Sequence, residues 1–196
     1  QLDESNETAR KGIETLTGVD IGPEVELRRL RLELKLASAE KRPQTMLAIA
    51  DLQNKQLSQP DAACETLENL YKETGPCGIG YEPLKNSYQH LKIWSNLVQI
   101  MLEHADALIE DMEENKAIET LHEALKIVDE KLKDEAISSS IIDKLQKLEP
   151  ENEVVIERYC SSLRNAQEWS KYAETIKGLA GDPNSRNVHK SHLFEL

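Results

Sequence analysis

The sequence predicts an all-α protein, and three observations carry that prediction. Gly and Pro are few, 8 and 7 in 196 residues, while Leu, Glu, Lys and Ala dominate. Those residues lose little in a helix, and the Val, Thr and aromatic alternation expected of strands is lacking. Apolar residues recur at helical spacing, as in Leu27, Leu30 and Leu34. A short motif, small–apolar–Glu–Thr–apolar, also returns along the chain: GIETL at 12–16, ACETL at 63–67, AIETL at 117–121 and the shorter AETI at 173–176. With one Phe, two Trp and five Tyr, the core must be filled by Leu, Ile, Val and Ala.

Residues 3–16 read as a short leading helix, stopped by TGVDIGP with its breakers Gly22 and Pro23. The next helix is expected over 24–41, its stripe of Leu27, Leu30 and Leu34 widened by Leu32 and Leu36. Pro43 opens another, which runs to Leu57. The stretch Ser58-Gln59-Pro60-Asp61 ends it and starts a helix over 62–73. GPCGIGYEP at 75–83 is the one Gly/Pro-rich interruption, a loop and a candidate seam between subdomains. It is no phosphate-binding loop, because GxGxxG and GKS/GKT patterns are absent and no strand precedes it. From Leu84 to Met112 there is neither Pro nor Gly, which gives one long helix or two with a break near Ser95-Asn96. Helices over 114–133, 136–148, 151–164 and 166–179 follow. Residues 181–196 open with Gly-Asp-Pro and read as a polar linker, whose HLFEL end is a docking strip, a chain end or the start of another helix.

The motif's glutamates, Glu14, Glu65, Glu119 and Glu174, lie 51, 54 and 55 residues apart. A shift of about 54 places the 24–41 helix over 78–95 and 132–149, and the 43–57 helix over 97–111 and 151–165. Breakers agree in part: Pro43 corresponds to Pro150, while nothing breaks the chain near residue 97. The expectation is a single domain over 1–180, an α-solenoid of about three three-helix units after a leading helix, each unit burying its apolar face on its neighbours. A compact helical bundle is the alternative. A coiled-coil rod is disfavoured, since no a/d heptad is sustained.

Two segments resemble a known family. NKAIETLHEALKI, with Ala117, Leu121 and Ala124, is similar to the second helix of a tetratricopeptide repeat, where a small residue is followed by a bulky apolar one four later and Ala three after that. PDAACETLENLYKETGP is similar, with Ala63, Leu67 and Leu70 and a Gly75-Pro76 stop where the family has Pro. Such small residues let the helices of a hairpin approach closely, and the bulky one fills the groove. The resemblance is confined to second helices around 60–76 and 114–128. The family's first-helix positions fall on Met101, His104, Ala105 and Leu108 in one unit and on Leu47, Ala50, Asp51 and Asn54 in the other. The period also exceeds the family's, which is about 34 residues. The resemblance implies a divergent tetratricopeptide-like superhelix, or a relative of the armadillo and HEAT arrays, and with it the binding of other proteins in a groove or along an edge.

Charge narrows the function. A net charge of −12 argues against general nucleic-acid binding and against attraction to an anionic membrane. No apolar run approaches the roughly 20 residues of a membrane span. Three scattered cysteines fit reduced thiols in the cytoplasm or nucleus. The final Glu-Leu is similar to an endoplasmic-reticulum retrieval tail and leaves that lumen open, although Leu193 and Phe194 depart from the pattern. The polar start without Met reads as the edge of a longer chain. The histidines (His90, His104, His122, His189 and His192) include no i, i+4 pair, and no HExxH, CxxC or GxSxG occurs, so no metal, cofactor or catalytic site is expected. The acidic cluster Glu110, Asp111, Glu113 and Glu114 reads as a solvated turn. Residues 103–135 hold twelve acids and four bases, a net of −8. By contrast 24–42 hold six bases and four acids, a net of +2. Arg28, Arg29, Arg31 and Lys35 on that helix are therefore candidate partner contacts. Trp94 and Trp169 are expected chiefly in the core, with interface anchoring as the alternative. The functional expectation is a non-enzymatic scaffold or adaptor that binds other proteins, as a subunit of a multiprotein complex. Its alternative is a helical enzyme or regulatory domain without a recognisable motif.

Overall fold

The computed structural model describes residues 22–180, which form nine α-helices and no strand. They are α1 (Pro23–Leu36), α2 (Arg42–Lys55), α3 (Pro60–Thr74), α4 (Tyr81–Leu91), α5 (Trp94–Glu110), α6 (Glu114–Ile127), α7 (Glu135–Leu148), α8 (Glu153–Asn165) and α9 (Trp169–Ala180). A π-helical turn, Val128–Leu132, continues α6. The expected leading helix at 3–16, with its GIETL match and Glu14, and the tail at 181–196 lie outside the described residues.

Helix boundaries follow from local chemistry. Pro23, Pro43 and Pro60 sit in the first turns of α1, α2 and α3, where a missing N–H costs nothing. Asp134 caps α7 by accepting from the N–H groups of Ala136 and Ile137, both at 3.0 Å. Asn152 caps α8 in the same way through Val154 and Val155. Three expectations are corrected. The first helix stops at Leu36 rather than 41, where Ala37 turns extended. Pro83 breaks nothing, because α4 begins at Tyr81 and a proline is tolerated in a first turn. The stretch 84–112 is interrupted at Lys92-Ile93, not at Ser95-Asn96. There Lys92 adopts the left-handed conformation, φ 59°, and the Ile93 N–H donates back to the Tyr88 carbonyl at 2.9 Å.

The chain divides between Ser87 and Tyr88 into two compact units. Within the first, α1 packs on α2 and α2 on α3; within the second, α5, α6, α7, α8 and α9 pack each on the next. Packing in chain order is the arrangement of a helical-repeat array, so the fold is all-α and built by repetition. In the first unit Gly75 adopts φ +76° and turns the chain out of α3. Gly80 then passes so close to α3 that a Cβ on it would stand 2.9 Å from the Tyr71 backbone nitrogen.

The repeat is visible residue by residue. Four sets of buried positions recur at 55-residue intervals on α2, α5 and α8. They are Thr45, Ile100 and Val155; Met46, Met101 and Ile156; Ala50, Ala105 and Cys160; and Gln53, Leu108 and Leu163. On α3, α6 and α9 the buried positions are Ala63, Ala117 and Tyr172, then Leu67, Leu121 and Ile176. In the last of these pairs Ile156, Cys160 and Leu163 meet Tyr172 and Ile176 in one cluster. The turns between paired helices repeat as well. Ser58, Met112 and Gln167 are left-handed at φ 54°, 61° and 58°. The N–H groups of Gln59, Glu113 and Glu168 close the preceding helices onto Gln53, Leu108 and Leu163.

The first turn, residues 56–59, is one residue longer than 111–113 and 166–168. A shift of 54 therefore misplaces the first helix of that unit by one position. The counterparts of Met101, His104, Ala105 and Leu108 are Met46, Ile49, Ala50 and Gln53, while Asp51 and Asn54 are exposed. The motif itself resolves into packing and satisfaction. Glu65, Glu119 and Glu174 are exposed. The hydroxyls of Thr66, Thr120 and Thr175 each donate to the carbonyl four residues back, at 2.9 Å in all three.

This arrangement makes Leu121 a core residue and Leu32 a surface one. Leu121→Ala is expected to destabilise the second unit by about 2–5 kcal/mol, and Leu32→Ala by no more than about 0.5 kcal/mol, in urea denaturation of the full chain.

Candidate functional site

Helix α1 has two apolar faces, of which one is used internally. Leu27 and Leu30 are buried with Ile49 and Leu52 of α2, and Leu34 packs against that cluster. Leu32 and Leu36 were expected to widen this stripe, but at 100° per residue they fall on the far side of the helix with Val25. All three are exposed, Val25 by 52 %, Leu32 by 61 % and Leu36 by 77 %. Leu32 and Leu36 are i, i+4 neighbours on the outer face of α1, and Val25 lies on the same face two turns earlier, with Arg28 and Arg29 on the turn between. Scattered single exposed apolar residues are ordinary, whereas these three share one face of one helix.

The charges beside this face are sorted. On one flank Arg29 is held between Glu26, at 2.5 and 2.8 Å, and Glu33, at 3.0 Å. On the other, Arg28, Arg31 and Lys35 are exposed and make no ion pair among the described residues. Arg42 is committed elsewhere. Its guanidinium takes both carboxylate oxygens of Glu73 on α3, at 2.6 and 3.2 Å, and the Leu34 carbonyl at 3.3 Å. Of the six bases in 24–42, four stay outside these ion pairs: Arg28, Arg31 and Lys35 form a row beside the apolar face of α1, and the exposed Lys41 lies beyond its end.

The two tryptophan candidates fall in the second unit. Trp94 opens α5 and is half-buried, whereas Trp169 opens α9 and is 58 % exposed, so Trp169 has no core role. The packing residues Ala63, Leu67, Leu70, Ala117, Leu121 and Ala124 are all buried. The acidic cluster at 110–114 is exposed, with Glu113 paired to Lys116. Among the described residues, no three His, Cys, Asp or Glu side chains converge to hold a metal ion, and no helix is long and apolar enough to cross a membrane. A groove of about 500 Å³ between α7 and α8 is lined by Ser138, Ser139, Ser161, Ser162, Arg158 and Asn165 among others. Within it Ser162 bonds Ser139 at 2.9 Å, and Arg158 donates to Asp129 at 2.8 and 3.0 Å.

No family model matches this chain, and no curated protein does. The surface of α1 thus carries the functional reading on its own chemistry.

The Arg42–Glu73 pair gives this end of the molecule a pH signature. The hydrogen bond from Arg42 holds the Glu73 carboxyl below the usual glutamate range. A carboxyl lowered by folding adds stability above its unfolded pKa and loses it as pH falls through its folded one. Arg42→Met is therefore expected to lower Tm slightly at neutral pH, with the gap from the parent narrowing below the glutamate range. Thermal scans across pH check this, and a gap that widens in acid would contradict it.

Proposed function

We propose that this chain is a non-enzymatic, intracellular helical-repeat scaffold that binds another protein through the outer face of α1. The observation that carries the reading is the exposed apolar face of Val25, Leu32 and Leu36 beside Arg28, Arg31 and Lys35. That combination fits an acidic amphipathic segment, whose apolar side covers that face and whose carboxylates meet the three cations. Covering the exposed parts of two leucines and a valine contributes at most about 1.5–3 kcal/mol each against the cost of association, and the cations steer and orient the partner.

Two further features support the reading. The likeness of α3 and α6 to second helices of tetratricopeptide repeats suits it, because that family acts by binding proteins. Cys64, Cys77 and Cys160 are unbridged, which suits a reducing compartment.

A synthetic amphipathic helix of leucine and glutamate heptads is a suitable probe. The double variant Arg28→Glu with Arg31→Glu is expected to weaken its binding at least about tenfold in fluorescence anisotropy, with helicity by circular dichroism unchanged. Unchanged affinity would remove α1 from the interface. A parent that self-associates in sedimentation equilibrium, with Leu32→Ser restoring the monomer, would give the face to a second copy instead.

A further inference from the structure

Helix α1 sorts its charges by side. At about 100° per residue, with Val25 as origin, Leu32 and Leu36 lie within about 20° of it. Arg28, Arg31 and Lys35 fall about 60–120° to one side, and Arg29, Glu33 and Glu26 about 40–100° to the other. The first flank also holds Glu24, so three bases stand there against one acid, a formal charge of +2. The second flank has one base against two acids, a formal charge of −1. Its base is engaged: the Arg29 guanidinium gives two N–H groups to Glu26 and one to Glu33. The apolar face between the flanks belongs to α1 and not to the repeat. Aligned on the buried Leu30, Leu84 and Ile141, helices α4 and α7 carry Asn86 and Asp143 where α1 has Leu32, and His90 and Lys147 where it has Leu36. All four of those polar residues are exposed.

We propose that the partner at α1 is a helix acidic along one flank only, selected by the unequal flanks of α1, an inference that rests on the reading of α1 as the binding face. A helix laid over Val25, Leu32 and Leu36 presents one flank to Arg28, Arg31 and Lys35 and the other to Glu26, Arg29 and Glu33. Carboxylates on the first flank meet the row of cations. Carboxylates on the second meet two glutamates whose one cation is already engaged, and like charges at that range are destabilising. Selection thus comes from a repulsive row as well as an attractive one. A helix acidic on both sides gains on one flank and loses on the other, so the placement of its acids decides affinity more than their number. The net charge of −12 on the whole chain weighs further against acids that meet no cation.

The test uses two labelled synthetic helices of identical composition, each with a leucine seam, in fluorescence anisotropy with the full chain. In one, every glutamate lies on one flank and every glutamine on the other. In the second, the same residues alternate between the flanks. The one-sided helix is expected to bind about threefold tighter, with the gap closing at about 1 M salt, where such contacts are screened. Glu26→Gln with Glu33→Gln releases the Arg29 guanidinium and is expected to remove the preference. Both side chains reach the surface, and circular dichroism checks that helicity is unchanged. Equal binding of the two helices would overturn the inference and leave α1 as the binding face, whereas binding of neither would overturn both. A preference that survives Glu26→Gln with Glu33→Gln would overturn the inference as well, since that flank would not be its source.

Discussion

Everything in this protein depends on how closely one helix of a pair can approach the helix before it. In each pair the approach is set by a small residue at the centre of the first helix, Ala50, Ala105 or Cys160, flanked by Met46, Met101 or Ile156 and by Gln53, Leu108 or Leu163. In the last pair Ile176 of the second helix meets Ile156, Cys160 and Leu163 in one cluster, and Leu67 and Leu121 are buried at the corresponding places of the other two second helices. Close approach of two backbones demands small residues, and the bulky ones around them make the position unique. The other repeated features serve that contact. A left-handed residue two positions before each second helix sets its entry, and a threonine bonded to its own helix frees no polar group into the seam. A conformation that costs a non-glycine residue about 1 kcal/mol or more persists at Ser58, Met112 and Gln167 because packing on both sides fixes it.

The first pair departs from the pattern at one buried position. Gln53 stands where the other pairs have Leu108 and Leu163, and it accepts a hydrogen bond from Thr66 at 2.8 Å. A buried amide is tolerable only with such a partner, and the motif threonine supplies it by sharing its one hydroxyl proton between Gln53 Oε1 and the Ala62 carbonyl, at 2.8 and 2.9 Å. The same threonine thus serves an apolar seam in two pairs and a polar one in the third.

How far the sequence revealed this depends on how local each determinant is. The second helices were legible because Ala117, Leu121 and Ala124, like Ala63, Leu67 and Leu70, encode their packing within one helix. The first helices were not, because one extra residue in the turn at 56–59 moves Met46, Ala50 and Gln53 out of step with the motif. The break at Lys92 carried no glycine or proline, and a lysine in the left-handed region leaves no mark in composition. Leu32 and Leu36 misled for a physical reason: on a helix with two apolar faces, a count of leucines cannot say which face looks inward. Their angular offset from Leu27, Leu30 and Leu34 contained the answer. The three-cation row was half legible, since the charges could be counted but the withdrawal of Arg29 and Arg42 into ion pairs with Glu26, Glu33 and Glu73 could not.

The central claim, that both units are held by the same buried contact, is open to a direct measurement through the three thiols. Cys160 occupies the small-residue position of its pair, Cys64 lies beside Ala63 on α3, and Cys77 is exposed in the connecting loop. Burial raises the pKa of the first two thiols, which further suppresses their thiolates. Native-state labelling with a maleimide, read by peptide mass spectrometry, should modify Cys77 quickly and Cys64 and Cys160 only at the rate at which their units open. Rapid labelling of Cys64 or Cys160 in the folded protein would contradict the packing on which the account is built.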